Sequence, residues 1–179
     1  MANREAIREL QARLASRLQA ARDEGLGVSW LATRSAGRNY LLPLAQSGEI
    51  FPMSPIQHVP YARPWFRGVL NLRGGLYGVV DLARFVGGDM PDHGPATGAV
   101  PAPESAVVTI NAALNVNCAL LVDALAGLRN AESFATARAP QAGEPPYFGN
   151  CFTDPAGESW QEINLQTLAQ FPRFLNITA

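Results

Sequence analysis

RGVLNLRGGLYGVVDL, residues 67–82, places two apolar, β-favouring runs on either side of a glycine pair. The runs, about 67–72 and 76–80, predict two strands, and the pair Gly74-Gly75 suits the positive φ angles of a tight hairpin turn. Asp81 can then accept hydrogen bonds at the start of a short helix that extends through Phe85. The stretch therefore predicts a β-hairpin that leads directly into a capped helix.

The glycines of this stretch do not form a phosphate-binding loop. Those at positions 68, 74, 75 and 78 match neither G-x-x-x-x-G-K-[ST] nor G-x-G-x-x-G. The segment also joins strand to strand, whereas a phosphate-binding loop leads from a strand into a helix. All 14 basic residues are arginine, so the chain has no lysine for a Walker loop or a Schiff base. Several nucleotide-dependent and covalent enzyme classes are thereby excluded.

An amphipathic helix is expected within residues 1–27. Apolar residues recur at spacings of three and four between Arg4 and Glu24, and Gly25 can end the helix. These apolar residues are Ile7, Leu10, Leu14, Leu18 and Ala21. The apolar stripe is expected to pack on the protein's own body or, alternatively, to dock with a partner.

Short apolar segments separated by turn residues follow the helix, as is typical of all-β chains. Segments 28–34 and 40–46 predict a hairpin, whereas residues 50–65 contain prolines at 52, 55, 60 and 64 and should be mostly loop. Residues 87–104 hold four glycines and four prolines, which predicts a segment that crosses the surface between two units.

The second half of the chain repeats the pattern of the first. Strands with turns at 111–114 and 154–157 flank a Pro/Gly loop at 138–148. Laying Asp81 on Asn164 aligns four further pairs, namely Tyr77 with Trp160, Val80 with Ile163, Leu82 with Leu165 and Phe85 with Leu168. We therefore predict a mainly β fold in which residues about 28–86 and 105–170 form two related five-stranded barrels or curled sheets, followed by a C-terminal tail at 171–179.

Composition and charge argue against several binding and catalytic roles. The net charge of −1 and the sequence pI near 6.1 give no bulk positive field for nucleic acid or an anionic membrane. No run approaches the ~20 apolar residues of a membrane span, so a cytoplasmic protein is expected. His58 and His93 lack metal-ligand spacing, and neither Cys118 nor Cys151 has a catalytic signature. We expect reduced cysteines and no enzyme activity, metal or cofactor.

Residues 64–82 resemble the signature of the CheW family of chemotaxis coupling adaptors, a proline and an apolar residue followed by G-V-x-N-L-R-G, an apolar strand and D-L. The matching residues are Pro64, Phe66, Gly68, Val69, Asn71, Leu72, Arg73, Gly74, Asp81 and Leu82. The resemblance extends over about residues 28–170. The leading helix, the absence of lysine and the segment 71–85 are most similar to the version of this adaptor that serves type IV pilus twitching motility.

The resemblance implies a CheW-like fold of two SH3-like five-stranded β-subdomains around a shared core, with a non-catalytic role. Such adaptors bridge the regulatory domain of a CheA-type histidine kinase and the cytoplasmic tip of a methyl-accepting chemoreceptor. An adaptor of a flagellar chemotaxis array is an alternative within the family, and a small-barrel nucleic-acid-binding protein is an alternative outside it. We expect a monomer in isolation, without direct membrane insertion.

Arg73 is the residue that a purely structural interpretation explains least well. It follows Leu70 and Leu72 at the top of the hairpin, where its guanidinium must find acceptors or remain in water. We predict an ion pair with Glu49 in the segment 47–51, and both a structural salt bridge and a direct partner contact remain open. The expected recognition surface is framed by Glu49, Phe51, Asn71, Leu72, Arg73 and Gly74.

Overall fold

The computed structural model describes residues 2–23, 29–89 and 103–179. Its elements in chain order are α1 (Ala2–Asp23), β1 (Ser29–Ser35), β2 (Arg38–Pro43), β3 (Ser47–Pro52), β4 (Phe66–Leu72), β5 (Gly75–Asp81), α2 (Leu82–Asp89), β6 (Ala106–Ile110), β7 (Cys118–Val122), β8 (Ala124–Asn130), β9 (Thr136–Arg138), β10 (Phe148–Thr153), β11 (Ser159–Ile163), α3 (Leu165–Gln170) and α4 (Pro172–Leu175). The mainly β fold expected from the sequence is confirmed. Most of the predicted crossing segment 87–104, and the predicted end of the first helix at Gly25, lie outside the described residues.

The strands form two sheets, and each sheet takes strands from both halves of the chain. The six-stranded sheet has the order β8-β1-β2-β11-β10-β9, and the five-stranded sheet has the order β3-β6-β7-β5-β4. The parallel pairs β2–β11 and β5–β7 join the halves. The predicted division into a unit at 28–86 and a unit at 105–170 is therefore wrong for the sheets. A repeat in sequence does not determine which strands pair, because the hydrogen-bonding edges of β2 and β5 accept any strand of suitable register.

Three apolar clusters fill the fold and follow the alternation of side chains along the strands. One cluster lies within the curled six-stranded sheet and includes Trp30, Leu41 and Trp160. A second lies within the five-stranded sheet and includes Leu70 and Val79. The third and largest is shared between the sheets; its members include Leu31, Tyr40, Ile50, Val80, Phe85, Val108, Leu120, Ile163 and Leu168. Two small β-units around a common core result.

Asp81 and Asn164, which the sequence repeat aligns, occupy equivalent positions at the starts of two helices. The Arg84 N–H donates to Asp81 Oδ1 at 3.1 Å, and the Thr167 N–H donates to Asn164 Oδ1 at 2.9 Å. Each side chain thus accepts from the backbone three residues on, where α2 and α3 begin. Because these amides have no partner inside a helix, both caps stabilise the step from strand to helix.

The predicted tail at 171–179 is part of the folded domain. Phe174 is 4% exposed and packs against Phe85, with ring centroids 5.4 Å apart. Beyond α4, the Arg63 N–H donates to the Ile177 carbonyl at 2.8 Å. The interpretation as a tail failed because a segment this short carries no periodicity that distinguishes packed from free chain.

Candidate interaction surface

A two-residue turn at Arg73-Gly74 joins β4 to β5. The strands pair as far as Leu72 with Gly75, and the φ angles of Arg73 and Gly74 are 49° and 85°. The predicted turn at Gly74-Gly75 was therefore one residue too late. Positive φ at both turn positions matches the twist of the flanking strands. The chain thus places an arginine, and not a glycine, at the first of these two positions.

Asn71 holds this turn from the side. Its Oδ1 accepts a hydrogen bond from the Gly74 N–H at 2.9 Å. The side chain thus supplies an acceptor for a turn amide, as asparagine side chains commonly do. Asn71, Arg73 and Gly74 are all exposed. The turn is therefore braced by a side chain and faces solvent.

The predicted ion pair between Arg73 and Glu49 is present. Arg73 Nη1 lies 2.7 Å from Glu49 Oε2, with the side chains 74% and 50% exposed. The pair does not join neighbouring strands, because β3 and β4 are the opposite edges of the five-stranded sheet. Arg73 lies in the turn between β4 and β5, and β5 is the strand of this hairpin that is nearer to β3. In a flat sheet β3 and β5 would be about 14 Å apart, given about 4.8 Å between neighbouring strands. The contact exists because the sheet curls and brings its edges together.

Phe51 completes the contact on the same face of β3. The guanidinium carbon of Arg73 lies 5.5 Å from the centroid of the Phe51 ring, within the range of a cation–π interaction. Phe51 itself is half-buried against the cluster that includes Leu70 and Val79. The guanidinium is therefore held between a carboxylate and an aromatic ring while most of its surface stays in water.

The sequence matches the CheW-like domain family over residues 29–172. This chain belongs to the CheW-like family. It is 26% identical to Protein PilI of Pseudomonas aeruginosa over 168 residues, which cover 92% of this chain and 88% of the relative. Among solved structures, the scaffolding protein TtCheW from Thermoanaerobacter tengcongensis has a similar fold, with a TM-score of 0.60 at 16% identity over 77% of this chain and 89% of TtCheW. The family is one of chemotaxis scaffold and adaptor proteins, which supports a coupling role without catalysis.

Two residues change the surface expected for this CheW-like domain. Leu72 is only 7% exposed and lies inside the barrel, so it supports the turn from beneath and is not available for contact. Leu76, opposite Asn71 on β5, is 61% exposed and was not predicted. The signal was available in the alternation along β5, because Tyr77 and Val79 point into the barrel and Leu76 must then point away. The surface thus has an exposed apolar side chain opposite Asn71.

In this CheW-like fold, the environments of Cys118 and Asp123 suit a structural role. Burial raises the pKa of the Cys118 thiol to about 12, which keeps it protonated. Asp123 Oδ2 accepts the Ala36 N–H at 2.7 Å and so supports the turn between β1 and β2. Within residues 2–23, 29–89 and 103–179 no cluster of histidine, cysteine and carboxylate side chains could hold a metal ion, and His93 lies outside these ranges. No helix in the same ranges has the length and apolar character of a bilayer span.

An open cavity of about 350 Å³ lies on the six-stranded sheet and is lined by residues that include Tyr40, Arg138, Cys151 and Gln161. Arg138 already donates to Glu144 at 2.9 Å. The Gln161 amide donates to two backbone carbonyls, at 3.0 and 2.9 Å. The cavity therefore presents polar groups whose hydrogen bonds are largely made within the protein.

Proposed function

We propose that this CheW-like adaptor acts in the cytoplasm, where it couples a methyl-accepting chemoreceptor to a CheA-type histidine kinase. We further propose that the signal controls type IV pilus twitching motility. The coupling role is supported by the family match over residues 29–172 and by the CheW-like arrangement of two β-units around one core. The pilus assignment is supported by the likeness to Protein PilI over most of both chains. Signalling in a flagellar chemotaxis array is the alternative that the experiments below distinguish.

Two surfaces on one small body are sufficient for coupling. A standard protein interface covers about 800 Å² on each partner, and binding two partners raises the effective concentration of each for the other. A conformational change in the receptor alters kinase activity when it changes the adaptor's contacts unequally in the two kinase states. Neither step requires a bond to form or break in the adaptor.

The observation that carries this proposal is the exposed Arg73–Glu49 pair on a turn with positive φ. An ion pair this exposed contributes only about 0–1 kcal/mol to stability. A residue with a Cβ atom loses stability at positive φ, so stability alone does not explain an arginine at this turn position. We infer that the pair fixes the shape and charge of a partner-binding surface around the turn.

Arg34 provides a matched control for Arg73. It also forms an exposed ion pair, with Glu158 at 3.4 Å, and its guanidinium carbon lies 5.9 Å from the Trp160 ring. Arg34 belongs to the six-stranded sheet, whereas Arg73 caps a hairpin of the five-stranded sheet. The two substitutions therefore remove similar interactions from different surfaces.

The test measures receptor-stimulated autophosphorylation of the kinase that co-purifies with the tagged chain from its host cells. Arg73→Ala should lower stimulation at least tenfold while Arg34→Ala leaves it within a factor of two. Stimulation that is unchanged in Arg73→Ala would remove the assignment of the turn, and a preparation without any kinase or receptor would remove the adaptor proposal. Loss of twitching with intact swimming in a deletion strain supports the pilus assignment, and the reverse supports the flagellar one.

A further inference from the structure

Four neighbouring strands of the six-stranded sheet bring one row of polar side chains into the open cavity on that sheet. Tyr40 of β2 pairs with Gln161 of β11. Gln161 also pairs with Cys151 of β10, and Cys151 pairs with Arg138 of β9. Residues directly opposite one another on neighbouring strands lie on the same face of a sheet. The cavity of about 350 Å³, which all four residues line, is therefore built on a regular part of the sheet.

The lining of this cavity carries one positive charge that is not balanced. Its charged residues are Arg38, Arg138 and Glu144. Glu144 accepts from Arg138 Nη2 at 2.9 Å, and this hydrogen bond holds the pKa of Glu144 below its usual value. Arg38 forms no ion pair within the part of the chain that the structure describes. A ligand with a single negative charge would therefore balance the lining.

Tyr40 adds a neutral hydrogen-bond donor beside Arg38. The two residues lie on the same face of β2, because side chains alternate along a strand. Tyr40 is only 2% exposed, and its hydroxyl forms no hydrogen bond with any residue in the described ranges. Burial raises the pKa of Tyr40 to about 12, against the opposing effect of the Arg38 charge, so the hydroxyl keeps its proton. A buried hydroxyl without a partner lowers stability, and an acceptor that enters the cavity removes this cost.

The other lining groups define the rest of the ligand. Phe148 is 7% exposed and supplies an apolar wall. The Gln161 amide already donates to two backbone carbonyls, and Arg138 already donates to Glu144. The groups that remain for a ligand are thus a guanidinium, a phenolic hydroxyl and an aromatic ring. This combination suits a molecule with one carboxylate and an apolar body.

We propose that the cavity is a binding site for a small organic anion that carries one carboxylate on a ring-sized apolar body. The carboxylate accepts from the Arg38 guanidinium and the Tyr40 hydroxyl, and the body packs against Phe148. Pockets for small molecules have volumes of about 300–1,000 Å³ and combine apolar walls with a few convergent polar groups. Such a site goes beyond the proposed coupling function and does not rest on it.

Cys151 provides a reporter for the occupied cavity in the full-length protein. The chain has two cysteines, and Cys118 is buried, whereas Cys151 is half-buried and lines the cavity. Iodoacetamide alkylates an accessible thiolate with loss of iodide, and the rate at Cys151 is read by mass spectrometry. Sodium benzoate is the probe. Benzamide, at an ionic strength matched with sodium chloride, is its neutral control.

Two arginine variants separate binding in the cavity from the overall charge of the protein. Arg38→Gln removes the unpaired charge of the lining. Arg34→Gln removes the same charge from the opposite face of the sheet, where Arg34 lies over the Trp160 ring. Tyr40→Phe removes only the hydroxyl and keeps the buried ring.

Benzoate should slow the alkylation of Cys151 at least threefold in wild type and in Arg34→Gln, and benzamide should not slow it. Arg38→Gln should lose this protection, and Tyr40→Phe should weaken it. Protection by benzoate that is no greater than that by benzamide, or that is equal in Arg38→Gln and Arg34→Gln, would overturn the proposal. A Cys151 that does not react in the folded protein would also overturn it, because the cavity would then be closed to small molecules. The assay contains neither kinase nor receptor, so its outcome is independent of the coupling assay.

Discussion

Arg73 combines a backbone conformation that lowers stability with an exposed side chain that we propose contacts a partner. Its φ of 49° costs a residue with a Cβ atom about 1–2 kcal/mol. The exposed ion pair with Glu49 returns about 0–1 kcal/mol, and the contact with the Phe51 ring returns about 0.5–1 kcal/mol. These contributions nearly cancel, so the arginine is close to neutral for the free energy of unfolding.

Substitution by glycine and by alanine separates the two effects. Both variants lose the contacts of the arginine side chain, but only Arg73→Gly also removes the Cβ atom that makes positive φ unfavourable. Glycine gains about 0.5–1 kcal/mol of extra freedom in the unfolded chain, which opposes that benefit. We therefore expect Arg73→Gly to be more stable than Arg73→Ala by about 0.5–1 kcal/mol. For a chain of this size the difference is about 1–4 °C in Tm.

Differential scanning calorimetry of the three proteins at one pH and ionic strength measures the difference. The expected order of Tm places Arg73→Gly close to wild type and Arg73→Ala below both. Both variants should lose receptor coupling to the same extent, because both lack the guanidinium. An alanine variant as stable as the glycine variant would refute the reasoning, since it would mean that position 73 does not carry the strain of positive φ.

Three further predictions concern the fold. Gly68→Ala should lower the free energy of unfolding by about 2–4 kcal/mol, because Gly68 has a φ of 131° and an added Cβ atom would collide with backbone. Gly74→Ala has open space around the added Cβ atom and should lower the free energy of unfolding by only about 1 kcal/mol. Phe174→Ala should lower the free energy of unfolding, measured with urea, by about 3–5 kcal/mol, because Phe174 is buried. Its exposed neighbour Leu175 is the control, and Leu175→Ala should lower the same free energy by less than about 0.5 kcal/mol. Burial raises the pKa of Asp81, so its contribution to stability is fully present below about pH 4 and is lost as the pH rises through the folded-state pKa. Asp81→Asn keeps a capping side chain, and its Tm relative to wild type should therefore rise as the pH rises from about 4 through the raised folded-state pKa of Asp81.

Each of these predictions has a clear contrary result. Equal losses for the two glycine variants would mean that the close backbone approach at position 68 is absent. An unchanged free energy of unfolding in Phe174→Ala would mean that residues 171–179 form a tail that does not pack on the domain. A Tm difference that stays constant with pH would show that the carboxyl at position 81 is not desolvated in the folded protein.

The local structure that depends on the spacing of apolar and turn residues could be predicted from the sequence. The hairpin at 67–80 and the caps at Asp81 and Asn164 depend on residues within a few positions, so short-range rules reach them. The turn was misplaced by one residue because two consecutive glycines offer two registers. Only the hydrogen bond from the Gly74 N–H to Asn71 Oδ1 and the pairing of Leu72 with Gly75 decide between them.

The long-range arrangement could be predicted only in part. The partners Glu49 and Arg73 were identified correctly, but they meet across the mouth of a curled sheet and not between neighbouring strands. Strand exchange between the halves was missed because alternation along a strand shows which face is buried but not which strand lies beside it. The packing of α1 against both β3 and β8 was missed for the same reason, since these strands are far apart in sequence.

The exchange of strands between the halves also sets the order in which the protein can fold during its synthesis. The hairpin β1–β2 is complete at Pro43, yet β2 pairs with β11, which ends at Ile163. At about 5–20 residues per second, a ribosome needs about 6–24 s to make the roughly 120 residues between these points. Throughout that interval one edge of β2 has no strand to pair with, and an unpaired edge is prone to join other chains. The first hairpin to leave the ribosome is thus among the last to be enclosed, and it is the part of the nascent chain that most needs chaperone cover.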